Sequence, residues 1–236
     1  LAVGDVHGEF DLLRDYQLEQ DDIDFCLQTG DIETVRSEED LDELTGPEKY
    51  KGVDDFPAYW NNEKKIPVEI WFIGGNHEVW SFLHSHDPTH GYDPAIVSNL
   101  NYLGRFGIRT IKGVTVAFLS GVYGESSFDE PSSERLRWAQ DMDWQKSKRT
   151  GHFRKDEVND LIGRSSTVDV DVLLTHEWPM TTDFDREQLD TDLMSYGVEP
   201  VSDLIGLIDP TIHLAGHIHR REDATIDGTR FAAIGK

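Results

Sequence analysis

The 236-residue chain has little of three things: cysteine, basic residues and long hydrophobic runs. Its one cysteine, Cys26, excludes a disulfide within the chain, and it favours a reducing compartment over a disulfide-linked partner. The chain has no apolar run of the roughly 18 residues that a membrane-spanning helix needs. We therefore expect a cytoplasmic protein with no membrane span.

The shortage of basic residues bears on the substrate. The chain has 22 Lys and Arg against 46 Asp and Glu, which gives a formal net charge of −24. Proteins that act on nucleic acid usually present a basic face to it. Two explanations stay open. Either the substrate is not a long polyanion, or the protein works in concentrated salt that screens its own charge. The acidic residues are spread along the chain, which favours the second.

No linker rich in Pro, Ser or Gly divides the chain, so we expect residues 1–236 to form a single domain. Five short apolar runs each end in polar residues. In open α/β sheets, ligands bind beyond the carboxyl ends of the strands, so these ends can meet at one site. The polar residues in question are Asp5 and His7, Asp31, Asn76 and His77, His176, and His217 and His219.

These side chains suit metal ions. Carboxylate, imidazole and amide-oxygen ligands together favour Mn, Fe or Zn over Ca. The set is too large for one ion, and it fits two divalent ions about 3.5–4 Å apart that share a carboxylate. Asp31 is the natural bridge. The sequence therefore predicts a site for two divalent metal ions.

Basic and aromatic residues concentrate between residues 121 and 157, which we call segment 121–157. This composition suits phosphate contact and base stacking. The alternative is an ordinary amphipathic helix from Ser133 to Lys148, with Trp138 and Trp144 in the core. Both interpretations stay open. The candidate substrate contacts are Arg36, Tyr123, Arg149 and Arg154, although Arg36 could instead tie down residues 33–66.

Five further polar residues receive structural predictions. His84, His86 and His90 form a cluster that could be taken for another metal site, but we expect a polar loop, because no strand or helix is predicted to fix their geometry. His213 lies in the middle of a predicted strand and is expected to be structural. We expect Glu78 to orient a ligand or the region of His77.

The five strand ends resemble the signatures of the calcineurin-like metallophosphoesterases. The resemblance implies an α/β (four-layer α+β) fold, in which a sandwich of two β-sheets is flanked by helices. It also implies that His77 contacts the scissile phosphate and protonates the leaving oxygen, while a water between the ions attacks phosphorus. The implied ligands are Asp5, His7, Asp31 and His219 for one ion, and Asp31, Asn76, His176 and His217 for the other.

A narrower resemblance is to the RNA lariat debranching enzymes, which hydrolyse the 2′,5′-phosphodiester at an intron branch point. It implies that segment 121–157 recognises the lariat. One departure is Asp5, where those enzymes typically carry Cys. The stretches that carry the resemblance are Gly30 to Leu41, Lys49-Tyr50, Glu63 to Lys65, Phe72 to Glu78, Asn101 to Gly104, Ser120 to Tyr123 and His176 to Pro179.

The sequence thus predicts a metal-dependent phosphodiesterase whose partner is a phosphoester substrate, with RNA as one candidate. The alternative within the superfamily is a phosphomonoesterase or nucleotide phosphatase. A third hypothesis is an inactive binding scaffold, which would require lost ligands. No predicted ligand is missing from this chain.

Overall fold

The computed structural model describes residues 1–45, 51–135, 148–180, 197–226 and 228–235. Most of the helix expected from Ser133 to Lys148, with Trp138 and Trp144, lies outside these ranges. No helix in the described ranges is both long and apolar enough to cross a membrane.

The first sheet is built from apolar runs near the start of the chain. Its strands lie in the order β1-β2-β3-β5-β4. The pairs β1–β2, β2–β3 and β3–β5 are parallel, so the carboxyl ends of β1, β2 and β3 reach the same edge. The antiparallel β4 closes the other side. The strands are β1 (Ala2–Val3), β2 (Cys26–Gln28), β3 (Ile70–Phe72), β4 (Ala95–Val97) and β5 (Leu100–Tyr102).

The second sheet has six strands in the order β10-β11-β9-β8-β7-β6. Strands β7, β8, β9 and β11 are parallel neighbours, and an antiparallel hairpin partner lies at each edge. The sequence predicts both hairpins, β6–β7 around Lys112-Gly113 and β10–β11 around Asp227-Gly228. The strands are β6 (Phe106–Ile111), β7 (Val114–Leu119), β8 (Val172–Thr175), β9 (Ile212–Ala215), β10 (Glu222–Ile226) and β11 (Thr229–Ala233).

Amphipathic helices connect many of the strands. In α6, for example, the residues Val201, Leu204, Ile205 and Ile208 are spaced so that one face is buried. The helices are α1 (Phe10–Glu19), α2 (Phe56–Trp60), α3 (Trp80–His84), α4 (Glu125–Phe128), α5 (Lys155–Ser165) and α6 (Glu199–Ile208). Short 3₁₀ helices span Glu38–Glu43, Pro88–His90 and Ser132–Glu134.

Three hydrophobic clusters show that the fold has four layers. One cluster joins the two sheets, and the other two fill the spaces between each sheet and its helices. Strand β2 contributes to two of them, because alternate side chains point to opposite faces. Leu27 packs between the sheets, whereas Cys26 packs towards the helices. The predicted two-sheet sandwich is confirmed, and Cys26 is a buried residue of its core.

The region of His84, His86 and His90 is more ordered than predicted. His84 ends α3, and His90 ends a 3₁₀ helix, so the expectation of a loop without regular structure is wrong. His84 is half-buried, and desolvation together with the charges of Arg105 and Arg135 lowers its pKa to about 3. No candidate metal group in the described ranges includes these three histidines.

His213 occupies the structural position that the sequence predicted. It is buried in β9, and its Nε2 lies 2.8 Å from the hydroxyl of Thr175. Phe231 packs against its ring, with centroids 5.3 Å apart. Burial disfavours the charged ring and lowers the pKa of His213 to about 3.

This shift predicts a pH-dependent loss of stability. Between its ordinary pKa of 6.5 and about 3, His213 takes up a proton only when the chain unfolds. Acidification through this window should therefore lower the free energy of unfolding, by up to about 1.4 kcal/mol per pH unit from this group. Urea unfolding in EDTA at several pH values measures it. His213→Gln, which can still hydrogen-bond Thr175, should flatten the slope, and an unchanged slope would contradict the assignment.

Candidate metal centre

The first group combines ligands from near the two ends of the chain. Asp5 and His7 follow β1, and His219 follows β9. Nε2 of His219 lies 3.0 Å from Oδ2 of Asp5 and 3.0 Å from Nε2 of His7. Asp5 is buried and His7 half-buried, whereas His219 is exposed. This group therefore opens towards solvent.

The second group is more deeply buried. Asp31 follows β2, His176 follows β8 and His217 follows β9, and their ligand atoms converge. Nε2 of His176 lies 3.4 Å from Oδ2 of Asp31 and 3.2 Å from Oδ1 of Asn76. Asp31 and His176 are fully buried, while His217 is half-buried. The structure thus places every predicted metal ligand in or beside one of two groups.

The spacing of the donor atoms fits metal ions. Ligands bonded to a transition metal at about 2.0–2.2 Å lie about 3 Å from one another across a coordination edge. The separations of 3.0–3.4 Å in the two groups match that edge. Imidazole nitrogen next to carboxylate oxygen is also the donor set that divalent transition metals prefer. The residues therefore fit two divalent ions.

The Asp31 carboxylate is held in one place by its surroundings. Its Oδ1 accepts a hydrogen bond from the main-chain N–H of His77 at 2.7 Å. A Cβ on Gly75 would lie only 2.2 Å from the same oxygen, so the carboxylate packs directly against the glycine backbone. Burial opposes the charge, yet His176, His77 and His7 lower the pKa of Asp31 far below its usual range. The carboxylate is therefore ionised and ready to bind metal.

The backbone around the site is strained. Among the described residues, ten non-glycine residues have positive φ, and five of them belong to this site. Such conformations cost energy and persist where the surrounding structure enforces them. They allow sharp turns directly after the strands, which turn the side chains inward. The five residues are His7, Asp31, Glu33, His217 and His219.

Glu78 supports the site through the backbone. Its carboxylate accepts the main-chain N–H groups of Ile32 at 3.0 Å, of Glu33 at 3.3 Å and of Gly75 at 3.3 Å. It is fully buried, and this burial raises its pKa well above the ordinary value. The sequence predicted a supporting role for Glu78. The structure shows that it joins the loops after β2 and β3 instead of contacting an imidazole.

His77 lies beside both groups without belonging to either. Its ring meets that of His7 edge-on, with centroids 5.3 Å apart, and its side chain is 26% exposed. Its Nδ1 is 3.8 Å from Oε1 of Glu33. A partly exposed imidazole next to a metal centre can transfer a proton to or from a bound substrate.

The four predicted substrate contacts have different surroundings. Arg36 pairs with Asp40 and stacks on Phe82, 4.1 Å from the ring centroid, which matches the role of tying down residues 33–66. Tyr123 is half-buried at the start of segment 121–157. Arg149 bonds Glu130 at 2.7 Å and stays a third exposed. Substrate contact by these three residues stays a prediction.

Arg154 differs from the other three because it has no exposed surface. It lies in a buried group of arginines at the base of segment 121–157. The main-chain carbonyl of His152 accepts hydrogen bonds from Arg105 at 3.0 Å, Arg135 at 3.0 Å and Arg154 at 3.1 Å. Glu157 receives a bidentate pair from Arg135. Arg154 therefore supports the segment instead of contacting substrate in this structure.

The base of segment 121–157 also touches the loop that carries Asn76 and His77. The N–H of Gly121 donates to the carbonyl of Gly74 at 2.6 Å. Trp80, on α3, packs on Gly74 so closely that a Cβ there would lie 2.5 Å from the ring. The guanidinium of Arg105 stacks on the Trp80 ring, 4.3 Å from its centroid. The segment therefore begins next to the metal centre.

Two acidic residues near the ligands were not predicted as part of the site. Glu33 contacts His7, and Glu177 lies with Oε2 3.9 Å from Nε2 of His217 while its Oε1 accepts the N–H of Tyr123 at 3.0 Å. The available signal was their position, two residues after Asp31 and one after His176. Acidic residues are so common in this chain that the position alone did not distinguish them.

Sequence relatives agree with this geometry. The lariat debranching enzyme of Entamoeba histolytica is 30% identical over 249 residues, covering 99% of this chain and 67% of that protein. Lariat debranching enzyme A of Xenopus laevis is 27% identical over 234 residues, covering 92% of this chain. The chain spans only 42% of the Xenopus protein.

Solved structures and the family pattern complete the comparison. The fold resembles a dimetal phosphatase from Danio rerio, with a TM-score of 0.55 and 17% identity, covering 97% of this chain and 78% of that one. The sequence pattern of the calcineurin-like phosphoesterases matches residues 1–221. With the pattern matched over nearly its whole length and two metal-ligand groups in place, the chain belongs to the calcineurin-like phosphoesterase family, whose members are hydrolases acting on phosphoester bonds.

Proposed function

We propose that this protein is a two-metal phosphodiesterase that hydrolyses the 2′,5′ bond of branched RNA. The observation that carries the proposal is the position of His77 between two ligand groups. Its main-chain N–H bonds Asp31 of the second group, and its ring meets that of His7 in the first. The curated relatives described above, which are named lariat debranching enzymes, support the choice of substrate. We propose Mn, Fe or Zn as the metal, because the donors mix imidazole with carboxylate.

The residues of the site would have two roles, metal binding and proton donation. One ion would be held by Asp5, His7, Asp31 and His219. The other would be held by Asp31, Asn76, His176 and His217. Bound ions would neutralise phosphate charge and activate the attacking water. The hydrogen bond from the main-chain N–H of His77 to Asp31 fixes the backbone of His77 relative to the ligands. From there the ring can donate a proton to the departing alcohol oxygen.

Segment 121–157 would bind the RNA beyond the scissile bond. Its base is hydrogen-bonded to the loop that carries Asn76 and His77, and Tyr123 and Arg149 keep part of their side chains exposed. An aromatic ring and a guanidinium suit a base and a phosphate respectively. Arg36 is a further candidate contact, since its side chain is 32% exposed despite its pairing with Asp40.

The acidic surface favours a second candidate, a phosphatase acting on a small phosphomonoester or nucleotide. A net charge of −24 repels a long polyanion at low salt, but it hinders a small substrate much less. An inactive scaffold has less support, because all the predicted metal ligands lie at the site in the described residues.

Parallel hydrolysis of three substrates with Mn²⁺, in dilute and in molar KCl, tests the proposal. The substrates are a 2′,5′-branched RNA, a linear 3′,5′ RNA and p-nitrophenyl phosphate. We expect preferential cleavage of the branched RNA, with molar KCl improving it by screening charge repulsion. Turnover of the monoester alone would favour the phosphatase, and equal cleavage of both RNAs would contradict branch specificity.

A further inference from the structure

Glu33 is a buried acidic residue next to the first ligand group. It is 3% exposed, although glutamate is almost never buried unless it is paired. Its backbone has a φ of 56°, a strained conformation that it shares with four metal ligands. Its N–H is bonded to Glu78 at 3.3 Å. The fold therefore holds this carboxylate in one place at an energetic cost.

The carboxylate of Glu33 contacts His7. Its Oε1 lies 2.5 Å from Nδ1 of His7, a charge-assisted hydrogen bond in which the ring N–H donates. The other ring nitrogen, Nε2, faces His219 at 3.0 Å in the first ligand group. With Nδ1 protonated and bonded to Glu33, the lone pair of Nε2 is left for a metal ion. Glu33 thereby selects the tautomer that binds metal.

The same oxygen also lies close to the proton donor that we propose for the reaction. Oε1 of Glu33 is 3.8 Å from Nδ1 of His77, which is beyond hydrogen-bond distance but close enough for charge attraction. The rings of His7 and His77 meet edge-on, with centroids 5.3 Å apart. Glu33 is thus positioned between a ligand of the first group and the catalytic histidine.

We propose that Glu33 is a positioning residue that orients His7 for the divalent ion of the first group, and so governs whether that ion is retained. Carboxylates that hold a ligating histidine typically contribute 10–100-fold, in order of magnitude, to metal affinity. The first group depends on this support because His219 is exposed and only Asp5 is buried among its three members. The second group has its own buried pair, Asp31 and His176.

The test is metal binding by Glu33→Gln, a variant of nearly equal volume that removes the negative charge. Calorimetric titration with Mn²⁺ gives the affinities, and electron paramagnetic resonance reports whether two ions are coupled. We expect one binding step to weaken by about 10–100-fold while the other stays within about threefold. The coupled signal should give way to that of isolated Mn²⁺.

Glu38→Gln is the matched control. Glu38 is exposed on the same segment, so its replacement removes the same charge without touching His7. Circular dichroism and thermal unfolding in EDTA establish that both variants fold. Two unchanged affinities in Glu33→Gln would overturn the inference, and so would equal weakening in the control or loss of both ions from a folded variant.

The inference rests on the two-ion assignment of the proposed function, and the experiment separates their failures. If the wild-type protein binds no Mn²⁺, the proposed function fails at its metal centre. If the wild-type protein binds two ions and Glu33→Gln binds them equally well, only the role of Glu33 fails.

Discussion

Replacing His77 with alanine is expected to slow hydrolysis of the RNA phosphodiester by about 10²–10⁴-fold, the usual contribution of a positioned general acid. The reason is chemical. A ribose alcohol is a poor leaving group unless it receives a proton, whereas p-nitrophenolate leaves readily without one. Hydrolysis of bis-p-nitrophenyl phosphate should therefore fall much less. Rates on both substrates at saturating Mn²⁺ measure the difference.

The control for this experiment is His90→Ala, which removes an imidazole whose side chain is 47% exposed and which belongs to neither ligand group. Its rates should match the wild-type rates on both substrates. Metal binding by His77→Ala should also be unchanged, because His77 is not one of the ligands. An equal loss on the two substrates would show that His77 does not act by protonating the leaving group.

Replacing Gly75 with alanine is expected to impair both the site and the fold. The added Cβ would lie 2.2 Å from Oδ1 and 2.6 Å from the main-chain N of Asp31, and 2.7 Å from Cε1 of His176. Relief of these contacts must move Asp31 or the backbone. We expect a loss of about 1–3 kcal/mol in the free energy of unfolding. A displacement of about 1 Å in the ligands would lower activity by about 100-fold.

Gly163→Ala provides the matched comparison for this substitution. Gly163 lies in α5 with nothing within 4 Å of the added Cβ. Alanine there should stabilise the helix by up to about 1 kcal/mol and leave activity unchanged. Urea unfolding and rates on bis-p-nitrophenyl phosphate compare the two variants. If Gly75→Ala were as active and as stable as Gly163→Ala, the close packing behind Asp31 would be unimportant.

Much of the metal centre could be predicted because its ligands follow short apolar strands. The side chains after β1, β2, β3, β8 and β9 needed only the rule that parallel strands present their carboxyl ends at one edge. The two hairpins could also be predicted, because Lys112-Gly113 and Asp227-Gly228 are typical turn sequences. In these places, local pattern and overall fold point to the same structure.

Two of the supporting residues, Glu33 and Glu177, could not be predicted because their partners are distant in sequence. Glu33 contacts His7, which lies 26 positions away, and Glu177 bonds the N–H of Tyr123, which lies 54 positions away. Burial likewise appears only in the folded chain. The guanidinium of Arg154 resembled a substrate contact by composition, yet packing hides it completely.

The two ends of segment 121–157 lie side by side. Val122 and His152 form a bridge of parallel β type, and Phe153 donates its N–H to the carbonyl of Val122 at 3.0 Å. A chain that leaves and returns at one point can change in length at little thermodynamic cost to the remainder of the fold. Changes in the length of this segment should therefore leave the metal centre intact. The same junction is a natural crossover point for chimaeras that alter substrate range.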